Sequence, residues 1–149
     1  MKTSTSRLPE YARKDLQQIV SLVLENLPRC EMIILYGSYA RGTYVEYDER
    51  DEFGILTSFM SDYDILVVTS KSDVKEAGQI LDSVDQMYYK RPDHQVPIQF
   101  INDDIEKLNS DLSEGRYFYT DVKKEGIMLY DSGNYKLERA RKLDFEEIR

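Results

Sequence analysis

Residues 36–68 read YGSYARGTYVEYDERDEFGILTSFMSDYDILVV, and this stretch decides the fold. It holds two polar motifs, GSYARG at 37–42 and SDYD at 61–64, each set against an apolar run. The first run, EMIILYG at 31–37, ends in Gly-Ser. The second, DYDILVV at 62–68, begins with alternating aspartates. Runs of this length and β-branched content form buried strands. In a strand successive side chains alternate faces, so Asp62 and Asp64 are expected to point the same way and Tyr63 the other.

Working outward, residues 8–27 place Leu16, Ile19, Val20, Val23 and Leu27 on one helical face, with Pro9 suited to a first turn and Pro28 ending the helix. Residues 72–89 place Val74, Ala77, Leu81, Val84 and Tyr88 on another, with Ser72 as the expected N-cap. VPIQFI at 96–101 reads as a third strand, its Pro97 marking an edge or a strand start. NDDIEKLNSDL follows as a helix, with Asn102 expected to cap it and Asp103 and Asp104 in its first turn. Gly115 interrupts, RYFYTDVKKE resumes as helix until Gly126, and IMLYD is a last strand. The expected class is α/β (α+β), a small mixed sheet covered by helices. The expected domain spans 8–132, with residues 43–60 a hairpin-like insertion. Residues 133–149 have no apolar period of their own and read as a tail, or as a linker into a missing C-terminal helical domain.

Composition bounds the function. The chain has 149 residues and a net charge of −8, which argues against general nucleic-acid binding because phosphate contacts need a basic surface. No apolar run approaches the roughly 20 residues that span a bilayer, and the N-terminus has no apolar signal core. A single cysteine, Cys30, fits a reducing compartment, so the expected location is cytoplasmic. His94, the one histidine, sits in the polar connection KRPDHQV and reads as a surface residue.

Paired carboxylates repel unless a cation lies between them, and oxygen-only ligands suit Mg²⁺, which keeps waters and accepts substrate phosphates as further ligands. An isolated Asp-x-Asp is more often an exposed pair at a loop–strand junction. Gly37 lets a backbone approach a phosphate, Ser38 offers a hydroxyl and an N–H, and Arg41 brings a fork of donors. A plain strand-to-helix turn would also use Gly-Ser. The combination of both motifs with their strands is more specific than either alone.

In that combination the sequence resembles the minimal nucleotidyltransferases (MNT) of the DNA polymerase β-like superfamily, over about residues 15 to 132. The elements that carry the likeness are Gly37-Ser38, Ala40-Arg41-Gly42 and Ser61-Asp62-Tyr63-Asp64, flanked by IILYGS and DILVV, with YFYTDVKKEGIMLYDSG towards the end. The resemblance implies the polymerase β-like nucleotidyltransferase fold. It implies that Asp62 and Asp64 hold one or two Mg²⁺ ions on ATP or another NTP, that Gly37, Ser38 and Arg41 bind the phosphates, and that a nucleoside monophosphate passes to an acceptor hydroxyl. It also implies a HEPN-type helical partner or fused domain, as in toxin–antitoxin pairs. Two further readings stay open: a non-catalytic nucleotide- or partner-binding module, and a nucleotidyltransferase acting on a small molecule such as an antibiotic.

The sequence departs from the family in two places. The family's third carboxylate falls at Gln99, an amide that can donate an oxygen to a metal but brings no charge and makes a poor base. Asp93 and Asp103 are the nearest acids before and after that strand. Between Ser38 and Asp62 lie 23 residues, more than in the short members of the family.

Overall fold

The computed structural model describes residues 1–46, 48–91 and 96–139, with 48–50, 52 and 56–59 described by their backbone alone. Eleven elements follow in order: α1 (Glu10–Asn26), β1 (Met32–Tyr36), α2 (Gly37–Arg41), β2 (Asp48–Glu52), β3 (Ile55–Phe59), β4 (Tyr63–Thr69), α3 (Val74–Tyr89), β5 (Ile98–Asp104), α4 (Ile105–Ser113), α5 (Tyr117–Glu125) and β6 (Ile127–Asp131).

Four strands form one mixed sheet in the order β5-β4-β1-β6. β1 runs antiparallel to both β4 and β6, whereas β4 and β5 are parallel, joined across α3. The central strands β1 and β4 are buried on both faces, which is why they read as continuous apolar runs rather than alternating ones. One face, with Ile33, Leu35, Ile65 and Val67, packs against Leu16, Ile19 and Val23 of α1 and Ala77, Leu81 and Val84 of α3. The other face, with Met32, Ile34, Leu66 and Val68, is covered by Ile105, Leu108 and Leu112 of α4 and Val122 of α5. The mixed sheet with helices on both faces is the expected class. β5 lies at the edge, and Pro97 sits just before it, where the missing N–H costs no ladder bond.

Three helix starts differ from the sequence reading. α1 begins one residue later, with Pro9 as its N-cap. α3 is preceded by Asp73 rather than Ser72, and that cap makes no side-chain hydrogen bond. β5 continues through Asn102, Asp103 and Asp104, paired with Val67, Val68 and Thr69, so α4 starts at Ile105. Asn102 cannot cap it, because its Nδ2 donates 2.8 Å across to the Val74 carbonyl of α3. Asp104 caps instead, its Oδ1 accepting from Lys107 N at 2.7 Å.

Residues 48–59 form a two-stranded sheet of their own, turning through Phe53 and Gly54, both with positive φ (55° and 80°), as a tight two-residue hairpin turn requires. The segment from Gly133 to Arg139 lies against α4: Asn109 donates to the Lys136 carbonyl and accepts from Glu138 N, and Leu137 packs on the second core cluster. At the other end Lys2 bridges to Ile127 of β6. Tyr47, Asp93, His94 and residues 140–149 lie outside the described residues.

Two glycines test the packing in opposite senses. Gly126 follows α5 with φ −70°, an ordinary backbone angle, but an added Cβ would lie 2.4 Å from the Val122 carbonyl and 3.0 Å from Ile34 Cγ2. Gly78 lies inside α3, where a Cβ would meet Asn102 Oδ1 at 3.6 Å, ordinary contact. Gly126→Ala should therefore destabilise the protein by about 1–3 kcal/mol, and Gly78→Ala should stabilise it by about 0.5–1 kcal/mol. Urea unfolding of the two variants reads both signs.

Candidate active site

The two motifs meet at one end of the sheet. Gly37 opens α2 directly after β1, and Asp64 lies in β4, where Tyr36 is its antiparallel partner and Gln99 its parallel partner. Cross-strand partners share a face, so Tyr36, Asp64 and Gln99 stand on the side of the sheet that α4 and α5 cover further along. Gly37 has φ +76°, a left-handed conformation, and a Cβ there would fall 2.2 Å from Asp64 Oδ2. The Asp64 carboxylate thus fills the space that a side chain at 37 would need. This close approach joins GSYARG to SDYD across the intervening insertion.

Asp62 precedes β4 and is half-buried. Burial raises the proton affinity of Asp64, the negative charge of Asp62 raises it further, and Arg41 offsets the two only in part. Arg41 also reaches Glu125 of α5, at 3.8 Å. Tyr36, beside Asp64, has its phenol pushed up to about 12 by burial and then by that same carboxylate. Gln99 is exposed and, from its register, adjoins Asp64.

Asp103 is not at this site. It pairs with Val68, four positions along the strands from the Asp64–Gln99 pair, or about 13 Å. Its buried carboxylate accepts from the Tyr119 hydroxyl and from Lys107 Nζ (3.2 Å), a network that ties α4 to α5. Asp93 lies outside the described residues. Among the described residues no group of three or more His, Cys, Asp or Glu side chains is placed to hold a metal. The donors present are two carboxylates, a serine hydroxyl and an exposed amide oxygen. They fit a hard divalent cation that completes its shell with water and substrate oxygens; burial first and then the charge of Asp62 disfavour the ionised form of Asp64, and such a cation would favour it.

α2 has only five residues, too few to hold itself, and is fixed from behind. Tyr39 is buried, stacked on Tyr44 at 4.3 Å between ring centroids, and its hydroxyl is 3.1 Å from that of Tyr11 in α1. Although it directly follows the Gly-Ser pair, Tyr39 is part of the core and offers no free ring face to a ligand base. Tyr63, on the opposite face from Asp64, is buried there too, and its hydroxyl donates to Asp15 at 2.7 Å. Ser61 pairs with Val45 through both its N–H and its hydroxyl, closing the base of the insertion immediately before Asp62. With Tyr39 and Ala40 turned inward, Gly37, Ser38 and Arg41 are the more accessible residues of α2.

A cavity of about 480 Å³ lies elsewhere, between the N-terminal segment, α1 and β6, and contains none of the motif residues. A smaller one, about 270 Å³, opens at Gly37 and is lined by Tyr36, Arg41, Phe118, Asp121 and Glu125. Chemistry rather than size selects the second. The sequence reading missed its α5 wall. The signal available was Phe118, Asp121 and Glu125 at helical spacing, and it was read only as a helix.

No family model matches the chain, and no curated protein does. Among solved structures the chain is similar to a toxin–antitoxin crystallised with AMP-PNP, at 21% identity over 79% of this chain and 74% of that one, with a TM-score of 0.41. It is similar to a protein from Sulfolobus solfataricus assigned as a nucleotidyltransferase (17%, over 86% and 94%, TM-score 0.43). It is also similar to a structure of a tri-AMPylated Shewanella oneidensis HEPN toxin in complex with MNT antitoxin (16%, over 80% and 72%, TM-score 0.39). The likeness is one of fold.

The Gly37–Asp64 contact makes two predictions. Gly37→Ala should cost about 1–3 kcal/mol through its left-handed backbone alone, and more through displacement of the carboxylate. In a double-mutant cycle with Asp64→Ala, which removes that obstacle, the combined loss should fall short of the sum by about 0.5–3 kcal/mol. Strict additivity would mean that the two residues do not meet. The second concerns pH. The fold binds the Asp64 proton more tightly than the unfolded chain does, so this group's contribution to stability is full below the ordinary carboxylate pKa and is lost as pH rises through the raised value. Asp64→Asn should remove that dependence and leave the melting temperature at neutral pH, without metal, unchanged or higher. A lower one would mark the carboxylate as structural.

Proposed function

We propose that this chain is an Mg²⁺-dependent nucleotidyltransferase that moves a nucleoside monophosphate, AMP from ATP, onto a hydroxyl of a protein partner in the cytoplasm. The observation that carries this reading is the seating of the Asp64 carboxylate against Gly37, which makes one site of two motifs. The sequence resemblance adds the partner: a HEPN-type helical protein, or a helical domain following the domain of residues 8–132, silenced by modification as in an antitoxin.

In this reading Asp62 and Asp64 would hold the Mg²⁺, which neutralises phosphate charge and polarises the reacting phosphoryl oxygen when bound. Gly37 and Ser38 present the first N–H groups of α2, which have no intrahelical partner, together with the serine hydroxyl, to the terminal phosphates. Arg41, half-exposed beside Asp64, balances charge on the nucleotide. The acceptor oxygen attacks the α-phosphorus, a new P–O bond forms, the bond to the β-phosphate's bridging oxygen breaks, and pyrophosphate leaves. Gln99 cannot take the acceptor's proton, so that proton passes to water. The protein's contribution is mainly positioning and charge neutralisation.

A second reading rests on Gln99 itself. With an amide in register with Asp64 and no third acid beside it among the described residues, the same site would bind nucleotide without transferring it. Incubation with Mg²⁺ and ATP radiolabelled at the α-phosphate, with and without cell lysate, separates the two on a denaturing gel. The expected result is a labelled protein band that disappears in the Asp62→Asn, Asp64→Asn double variant and strengthens in Gln99→Asp. ATP binding without label would select the binding module, and neither binding nor label would end both readings.

A further inference from the structure

The cavity beside Gly37 has a division of surface that the phosphate site does not use. Tyr36 contributes one wall from the end of β1, and Phe118 meets it edge to face at 5.4 Å between ring centroids. Phe118 is 42% exposed, so part of its ring is open to the cavity. Asp121 and Glu125 follow at three and seven residues along α5, on the same side of the helix as Phe118. Asp121 is exposed and makes no ion pair with any other described residue, whereas Glu125 is in reach of Arg41. One wall of the cavity is therefore aromatic, and α5 contributes hydrogen-bond acceptors to it. Arg41 and the Gly37 backbone complete the lining.

Pockets that enclose a whole drug-sized ligand run to about 300–1,000 Å³. At about 270 Å³ and open to solvent, this one suits a single ring system of a ligand that continues out of it. It adjoins Gly37, against which the Asp64 carboxylate is seated.

The geometry points to this cavity as the nucleobase subsite of the nucleotide held at Gly37, Ser38, Asp62 and Asp64. Phe118 is the stacking surface, and Asp121 and Glu125 accept from the base's amino group. The inference rests on the nucleotide reading above and deepens it. It names Phe118 and the two acids as specificity-determining residues, and bases with an exocyclic amino group, adenine among them, as the preferred class over uracil. Stacking on an aromatic ring tolerates any base, so the ring supplies affinity and the carboxylates supply choice.

Calorimetry with Mg²⁺ tests it, using ATP, UTP and inorganic tripolyphosphate as probes. Tripolyphosphate carries the phosphate chain without sugar or base. The parent should bind ATP about tenfold or more tightly than tripolyphosphate, and Phe118→Ala should weaken ATP by about 5- to 100-fold while leaving tripolyphosphate unchanged. Phe118→Tyr, which keeps the ring, should retain the parent's preference and shows that loss in the alanine variant is not a folding defect. Asp121→Asn with Glu125→Gln should narrow the preference for ATP over UTP. Equal affinity of the parent for ATP and tripolyphosphate, or a Phe118→Ala variant that keeps the difference, would overturn the base subsite and leave the nucleotide site standing. Equal binding of ATP and UTP by the parent would overturn the role of the acids. Failure of the parent to bind either ATP or tripolyphosphate would overturn the nucleotide reading, and the subsite with it.

Discussion

A carboxylate occupying the place of a missing Cβ is the constraint around which the functional end of this molecule is arranged. Asp64 leans into the backbone of Gly37, and only glycine both adopts φ +76° readily and leaves that room. The contact fixes the start of α2 relative to β4. It is possible because β1 and β4 are antiparallel neighbours in a register that sets Tyr36 opposite Asp64. A slip of one residue would turn Asp64 to the face occupied by Tyr63 and place it in the hydrophobic core beneath α1. Ile33, Leu35, Ile65 and Val67 on one face, and Met32, Ile34, Leu66 and Val68 on the other, hold the register against such a slip. The apolar core thus determines where the charges stand.

The same arrangement is electrostatically unfavourable when nothing is bound. Two neighbouring carboxylates, one of them partly desolvated, raise the proton affinity of Asp64 despite Arg41 nearby. Elsewhere in the molecule buried acids are matched to donors. Asp103 has Lys107 and Tyr119, and Glu31 accepts from Ser132 and Asn134. Asp103 and Glu31 are thus satisfied within the fold, whereas Asp64, in the proposed reading, would be satisfied by a bound cation. Overall charge offers no guide to this, since an acidic protein can still present a local site for a nucleotide with its metal.

Much of the fold was legible because the strands and the two long helices carry strong apolar periods. Leu16, Ile19, Val23, Ala77, Leu81 and Val84 all face the core as their spacing requires. What the sequence concealed were local choices decided by tertiary partners. Asn102 looks like a cap, but its amide is drawn to the Val74 carbonyl, and β5 keeps pairing with β4 for two more residues. Tyr39 sits beside the Gly-Ser turn, and it belongs to a cluster with Tyr11, Tyr44 and Tyr63 that no linear pattern announces. At the site, the pairing of Asp64 with Gln99 depends on a parallel register that is set across α3. The α5 wall of the cavity comes from more than fifty residues beyond Asp64, joined to it only by the fold.

That tyrosine cluster also bears on what the insertion can do. Tyr44 stacks on Tyr39, Glu46 accepts from the Tyr11 hydroxyl, and Ser61 is bonded twice to Val45, so both ends of the inserted segment are anchored to α1, α2 and the approach to Asp62. A hairpin held this way at its base cannot move as a free loop without disturbing the packing behind α2. Its tip is different: Phe53 and Ile55 are exposed, beyond the reach of that anchor. The base of the insertion is therefore packed against the elements that carry the candidate site, through a stacked pair of rings and phenol hydroxyls as well as through the backbone.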